Sequence, residues 1–564
     1  MASRRALPGG SLARKHRRMP SGSGPERPRT PRAARSPRSA GEVTVSVGLD
    51  EPADDAALRA RVARTLGTSV EGLPPIVLRK RSIDARRGLR FHFSFEVGSG
   101  RAARLEGPRP RDVGEARIVI VGDGPCGLFC AYELARHGIG SVVVDRGKHV
   151  QPRRRDLKGL NRHGRVDGDS NYCYGEGGAG TYSDGKLYTR AHKRGSVRDV
   201  LEILALAGAP DAILVDARPH IGSNRLPDVV TRLREELEAR GVQFRFGARV
   251  VDLVLSPSRQ RRVRGVVLAD GSEIFGDAVV LATGHSATDV YRMLLARSVR
   301  LEPKSFALGV RIEHPQPLID RIQYGAAAGH PALPPAAYQV ARSVDDRGVF
   351  SFCMCPGGFI VPAATEPDGL VVNGMSLSKR DSPYANSGLV VSVEPADVLR
   401  LGFPGPLGGI DLQRALERAA LEAGGGGLRA PATRATDFVR GRGSSSVPKS
   451  SYIPGLVSAD VGAVLDAVPG GFRARLASAI EAYDRRLRGY LTEEAILVGV
   501  ETRTSSPVRI PRDDATLESP DVPGLYPAGE GAGYAGGIVS AAMDGMRVAR
   551  RIATATSSTI ALRE

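Results

Sequence analysis

At 564 residues the chain is too long for one hydrophobic core, and two to four domains are expected. Its 41% apolar and 25% charged residues are ordinary for a folded protein, and no apolar run approaches the roughly 20 residues of a membrane span. Five cysteines are few and odd in number, which argues against a disulfide framework and for a reducing, cytoplasmic setting. The net charge of +19 suggests a nucleic-acid partner until it is located: residues 1–40 hold eleven Arg or Lys against Glu26 alone, so the rest of the chain carries only +9.

That tail is rich in Arg, Pro, Ser and Gly and is expected to be disordered. It lacks the apolar stretch of a secretory signal. Its Arg- and Ser-rich, acid-poor composition leaves an organelle transit peptide open, although its prolines and glycines would break the amphipathic helix such a peptide needs. A true start at Met19 or later is a further alternative. Residues 41–100 read as a small α+β module, with strands at Val43–Val47, Ile76–Ile83 and Leu89–Val97 and a helix at Ala53–Leu66. Lys80 to Arg87 read as a dense basic loop, either solvated or in contact with an anionic partner. Gly100 to Gly114 form a linker.

The stretch from Arg117 to Arg146 carries the strongest signal. Ile118 to Val121 form a buried strand, followed by Gly122-x-Gly124-x-x-Gly127 and a helix expected over Leu128 to His137 that ends at Gly138. A second strand, Ser141 to Val144, runs into Asp145 and Arg146. Gly122 permits the tight turn, Gly124 admits a diphosphate to the helix N-terminus, and Gly127 lets helix and strand pack closely. Asp145 stands where a carboxylate accepts hydrogen bonds from an adenosine ribose. A dinucleotide site follows from this order of elements.

Beyond it, Gly175, Gly177, Gly178 and Gly180 lead into Ser183, Asp184 and Lys186, a backbone-rich loop suited to phosphate or to a flavin ring. An amphipathic helix is expected over Leu226 to Arg240, then strands over Val242–Phe246, Ala248–Leu255 (with Val250 toward the coenzyme) and Val263–Leu268. A buried strand next runs into Ala282-Thr283-Gly284. Residues 301–510 change character, with strands expected at Phe306–Glu313, Ala337–Ala341, Val349–Met354, Leu370–Met375 and Leu389–Val393. Two helices are expected there, Leu412–Ala423 and Phe472–Tyr490, with Gly405–Gly409 and Gly424–Gly427 as loops.

Near the C-terminus, Gly524-Leu-Tyr-Pro-Ala-Gly529-Glu530 is a short strand and acidic turn before Gly536, Gly537 and a helix from Ile538 to Ala553. A nicotinamide enzyme has no need of this second junction. FAD does: Glu530 can accept from ribityl hydroxyls, and the helix start at Gly536–Ile538 can stabilise charge on the reduced ring. The coenzyme expected is therefore FAD. No second GxGxxG follows a strand and opens a helix, so electrons come from NAD(P)H docking transiently on the flavin, from a protein donor, or from the substrate.

The segments GDGPCGLFCAYELA, GEGGAGTYSDGKLYTR, SFALGVRIEHPQPLID, SFCMCPGGFIVPAATE, GVETRTSSPVRI and GLYPAGEGAGYAGGIVSAAMDG resemble the bacterial and plastid FAD-dependent dehydrogenases known as NAD(FAD)-utilising. The resemblance covers roughly residues 42–555 and implies a glutathione-reductase-like FAD fold with an inserted substrate domain and a small N-terminal domain. Asp145 departs from the commoner Glu at the ribose position, and the basic tail lies outside the match. The expected class is α/β: a Rossmann-like FAD-binding domain in two parts (115–300 and 511–555), an inserted, mostly antiparallel α+β substrate domain (301–510), the module 41–100 and the tail 1–40.

Candidate chemistry falls in the inserted domain and its borders. Cys353-Met-Cys355 reads either as a redox or nucleophilic thiol pair or as small buried hydrophobes. Cys126 and Cys130, four apart on the first helix, read as packing residues. The histidines lack paired ligand spacing, so no metal is expected. His285 and His314 are candidate acids or bases. Arg311, Arg503 and Arg509 are candidate clamps for a carboxylate or phosphate, with Arg503 preferred and Tyr452 a weaker contact. The reading is an FAD-dependent oxidoreductase transferring a hydride to or from an organic small molecule. The alternatives are a flavin monooxygenase and a non-catalytic FAD scaffold that binds a partner or nucleic acid.

Overall fold

The computed structural model describes residues 41–561 apart from 86–87, 99–108, 190–194 and 258–260. The basic tail, Arg86 and Arg87 of the basic run, and part of the linker lie outside the described residues. A five-stranded parallel sheet organises the first body, in the order Leu525–Pro527, Ala278–Leu281, Ala116–Val121, Gly140–Val144, Gln243–Arg245. Ile118 to Val121 at its centre are buried on both sides, as parallel strands between two layers must be. One face is covered by the helices Pro125–Arg136, Val197–Leu206, Leu226–Glu238 and Ile538–Ala561. The other packs against a three-stranded antiparallel sheet (Val250–Leu255, Val263–Leu268, Glu273–Phe275) and the helix Thr288–Ala296. The last strand and last helix of the chain thus complete a fold begun four hundred residues earlier.

A second body is built on a seven-stranded sheet ordered Ala341–Val344, Arg347–Cys355, Tyr384–Val393, Phe306–Pro315, Ile496–Glu501, Ala430–Arg434, Leu456–Ser458. It is antiparallel except for its last pair. The helices Gly408–Ala423 and Phe472–Arg486 bury Leu412, Leu416, Leu476 and Ile480 in its core. Two short strands, Glu302–Pro303 and Val508–Arg509, pair where the chain leaves the first body and returns to it. The N-terminal module is a three-stranded antiparallel sheet, Gly41–Gly48, Arg90–Val97, Ile76–Asp84, with the helix Asp55–Leu66 packed on it through Leu58 and Val62. Its edge strand docks on the first body: Arg81 N–H donates to Val215 O, Ala217 N–H donates to Arg81 O, and Arg81 pairs with Asp216.

Several expectations need correction. The first helix starts at Pro125, not Leu128, because proline is suited to the first helical position, and it ends at Arg136 before Gly138 in the left-handed region. Lys80 to Asp84 are strand rather than loop, since the ladder with Phe91–Ser94 and Arg90 satisfies their backbone. The strand expected at Ala337–Ala341 is absent: Ala336 and Val340 N–H groups are taken by the Asp320 and Ser351 side chains, and only Ala341 begins a strand. Gly408 and Gly409 open a helix instead of a loop. Among the described residues no helix is long and apolar enough to cross a membrane.

Candidate functional site

Four glycine-bearing segments converge at the carboxyl ends of the parallel strands, where ligands of open α/β sheets bind. Gly122 has φ +103°, and a Cβ there would strike the Ala282 carbonyl. A Cβ at Gly127 would strike the Gly122 carbonyl, so helix and strand meet as the spacing requires. Gly178 lies against Gly124, Gly180 between Pro125 and Ile538, and Gly531 against Gly284, while the space before Gly284, Gly536 and Gly537 is open. Asp145 accepts from Asp123 N at 2.9 Å, Gly147 N at 2.8 Å and Gly175 N at 2.9 Å, so a ribose hydroxyl would share a carboxylate that already ties three turns together. Arg146 is held by Asp169 and Asp289 and lies 4.5 Å over the Tyr174 ring. Val250 opens its strand as a buried core residue behind this cleft.

The loop itself is braced from beneath by a residue the sequence reading passed over. Arg153, fully buried, donates to the carbonyls of Asn171, Tyr172, Glu176 and Gly178. Asp123, inside the first glycine turn, is also fully buried; burial, with Asp145 and Glu176 close by, raises its carboxyl well above the usual range. A cleft of about 1010 Å³ lies at the opposite, amino ends of the strands beside Arg117, Gly138 and Asp277. Its position is wrong for a dinucleotide.

At the far end of the cleft, Glu530 stands 3.8 Å from His285. Burial raises Glu530 to about 7 against the pull of Lys304, and burial together with Arg503 lowers His285 to about 4. At neutral pH the imidazole is therefore neutral. Because the folded state holds the Glu530 proton where the unfolded chain has lost it, the stabilisation is complete below the ordinary glutamate range and is lost as pH rises through 7. Glu530→Gln should remove that dependence. The wild type is expected to lose up to about 3 kcal/mol relative to the variant between pH 5 and pH 8, read as diverging thermal midpoints; parallel pH profiles would contradict it.

The loop after Gly180 and the inserted body together bring in a second set of groups. Lys186 Nζ lies 3.5 Å from Cys355 Sγ, 3.7 Å from Cys353 Sγ and 3.2 Å from Asp184 Oδ2. Asp184 is also bound by Arg380 and Ser376; against its burial, Lys186 and Arg380 hold it down to about 2. Ser183 is turned to its own loop, donating to Gly180 O and accepting from Gly185 N.

Arg311 and Arg503, expected as substrate clamps, are committed internally. Arg311 donates to both Glu501 oxygens at 3.0 Å, to Asn386 and to the Cys353 carbonyl. Arg503 grips Glu417 through Nε and Nη2 and reaches Thr365. His314 is enclosed by Tyr338 and Tyr490 with its Nε2 on the Tyr490 carbonyl, and the Tyr452 hydroxyl donates to Leu428 O, so both serve the core. Arg509 lies over the Tyr534 ring. Cys126 and Cys130 are buried packing residues, with Gly529 and Gly545 set against Cys126. The backbone cradle, the two helix starts and the open space before Gly284, Gly536 and Gly537 fit FAD.

Comparison with known proteins bears on the same segments. Residues 115–159 match an FAD binding domain, 219–368 an FAD dependent oxidoreductase, and 305–504 a FAD-dependent protein, C-terminal domain-like. Residues 41–98 match a domain of unknown function. An uncharacterized protein of Clostridium beijerinckii is 39% identical over 534 residues, covering 90% of this chain and 97% of the relative. Among solved structures, CtdE in complex with FAD is 12% identical over 77% of this chain and 84% of its own, with a TM-score of 0.30. Tetracycline destructase Tet(51) is 12% identical over 78% and 82%, with a TM-score of 0.31. Likenesses this distant decide nothing about the reaction. The chain belongs with its Clostridium relative to a family of FAD-dependent oxidoreductases.

Proposed function

We propose that this flavoenzyme is a dehydrogenase or reductase that exchanges a hydride with an organic small molecule. The reading rests on one observation: half-buried titratable groups from both bodies (Lys186, Cys353, Glu530, His285) gather beside a cleft otherwise lined by backbone. FAD, when bound, supplies two-electron chemistry. Gly122, Gly124, Gly127 and the N-terminus of the helix Pro125–Arg136 would hold its diphosphate. Gly178, Gly180, Gly284, Gly529 and Glu530 would hold the flavin half, with the helix start at Gly536, Gly537 and Ile538 near the ring. The protein's own part is to exclude water, to present a buried cation at Lys186 Nζ, and to keep a proton on or near Glu530 at neutral pH.

The division into a first body (115–300 with 511–555) and an inserted substrate domain (301–510) belongs to the same proposal, supported by the crossing strands Glu302–Pro303 and Val508–Arg509. So does kinship with glutathione-reductase-like flavoproteins, supported by the parallel sheet and its antiparallel three-stranded neighbour. The test is anaerobic bleaching of the flavin by NADH, NADPH and a metabolite panel, followed by admission of air. A dehydrogenase is reduced by one of these and reoxidises slowly. Fast reoxidation with hydroxylated product would instead identify a monooxygenase.

A further inference from the structure

The pair Cys353 and Cys355 is built unlike the other cysteines of the chain. Cys126 and Cys130 lie in an apolar helix interface, and burial raises their thiols. Cys353, by contrast, has φ +46° in a core strand, a conformation that side chains rarely adopt, at a shift of register between Phe352 and Cys355. Arg311 braces this bulge by donating to the Cys353 carbonyl at 3.0 Å. The result is that both sulfurs face Lys186 Nζ, at 3.7 and 3.5 Å, while the Cys355 thiol donates to the Cys353 carbonyl at 3.2 Å. The neighbouring Cys355 thiol, with Lys186 and Arg311, outweighs burial and lowers the Cys353 thiol well below its ordinary value, while Cys355 is raised. Cys353 is partly exposed and Cys355 fully buried, the asymmetry expected of an attacking and a resolving thiol. Strain at a functional position is an observation from which a role can be inferred.

We propose that Cys353 and Cys355 form a reversible dithiol–disulfide centre, with Lys186 as the cation that holds the attacking thiolate, and that the site's substrates are low-molecular-weight disulfides and dithiols. The Cys353 thiolate attacks one sulfur of the disulfide R–S–S–R; the substrate S–S bond breaks, and the departing thiolate takes the Cys355 proton as R–SH. The Cys355 thiolate then attacks Cys353 Sγ, closing the internal disulfide and releasing the second R–S⁻, which takes a proton from water. The substrate gains two electrons and the dithiol loses two. This deepens the reading of the cleft as an oxidoreductase site and rests on it, since the dithiol is restored with electrons of the coenzyme the family uses.

The test uses the full-length flavoprotein under argon with oxidised glutathione as the probe, reading the flavin spectrum and the alkylatable thiols separately. Two of the five cysteines are expected to be lost to alkylation, with residues 353 and 355 joined in the peptide map. Cys355→Ser should instead trap one glutathione on Cys353. Lys186→Met should slow alkylation of Cys353 near pH 6 by about tenfold or more, and Lys186→Arg should restore it. The proposal is overturned if excess oxidised glutathione leaves both thiols free in a protein with a normal flavin spectrum, whether or not the variants fold. Closure of the disulfide in a protein that binds no flavin would sink the flavin reading and leave the thiol centre standing.

Discussion

Gly124→Asp is expected to abolish coenzyme retention without damaging the fold. Gly124 caps the helix Pro125–Arg136 with φ −72° and ψ 179°, an extended conformation that any residue adopts. A Cβ there meets only Gly178 Cα, at 3.9 Å. Asp is, moreover, a favoured N-cap residue, so helix stability is preserved. What changes is the charge at the mouth of the cradle: a carboxylate occupies the place where free N–H groups and the helix dipole favour the diphosphate. Affinity should fall at least about a hundredfold, roughly 3 kcal/mol. The check is the flavin absorbance per protein after purification and after reconstitution, with thermal stability compared against wild type stripped of flavin. A variant that purifies yellow at full occupancy would remove the basis for placing the diphosphate at this turn.

The parts of the site that were legible in the sequence are those fixed by local spacing. Gly122 and Gly127 announce a strand–turn–helix because a left-handed φ at the first and the Gly122 carbonyl against the second are constraints set within a few residues, and Gly529 to Ile538 announce the second junction by the same order of strand, glycines and helix. The roles of charged residues were not legible, because their partners are distant. Arg503 reads as a free guanidinium until the fold brings Glu417, 86 residues away, onto it. Arg311 does likewise until Glu501, 190 residues on, neutralises it. The two thiols gain their character from Lys186, 167 and 169 residues earlier, and from a bulge that strand periodicity does not reveal. Arg153 is the first of three consecutive arginines in the sequence; its burial under the glycine loop depends on the four carbonyls that loop turns inward.

Asp544→Ala should be the most destabilising single change at the ring end of the cleft. Asp544 receives two hydrogen bonds from Arg512, at 2.6 and 3.0 Å, with both side chains almost wholly buried. It also accepts Gly529 N–H at 2.8 Å, while Arg512 donates to Pro527 O and lies 3.8 Å over the Tyr534 ring. One ion pair thus ties the helix Ile538–Ala561 to the strand and turn that carry Glu530. Truncating Asp544 leaves a guanidinium buried without its counter-charge, which costs about 3–5 kcal/mol; the double change Asp544→Leu with Arg512→Leu leaves no orphaned charge and should recover much of that loss. Coenzyme retention should separate from stability here. The double variant still deprives Gly529 N–H of its acceptor, so it is expected to melt close to wild type and yet hold flavin poorly. A double variant that recovers both would show that Asp544 serves the core alone and that the Gly529–Glu530 turn keeps its shape without it.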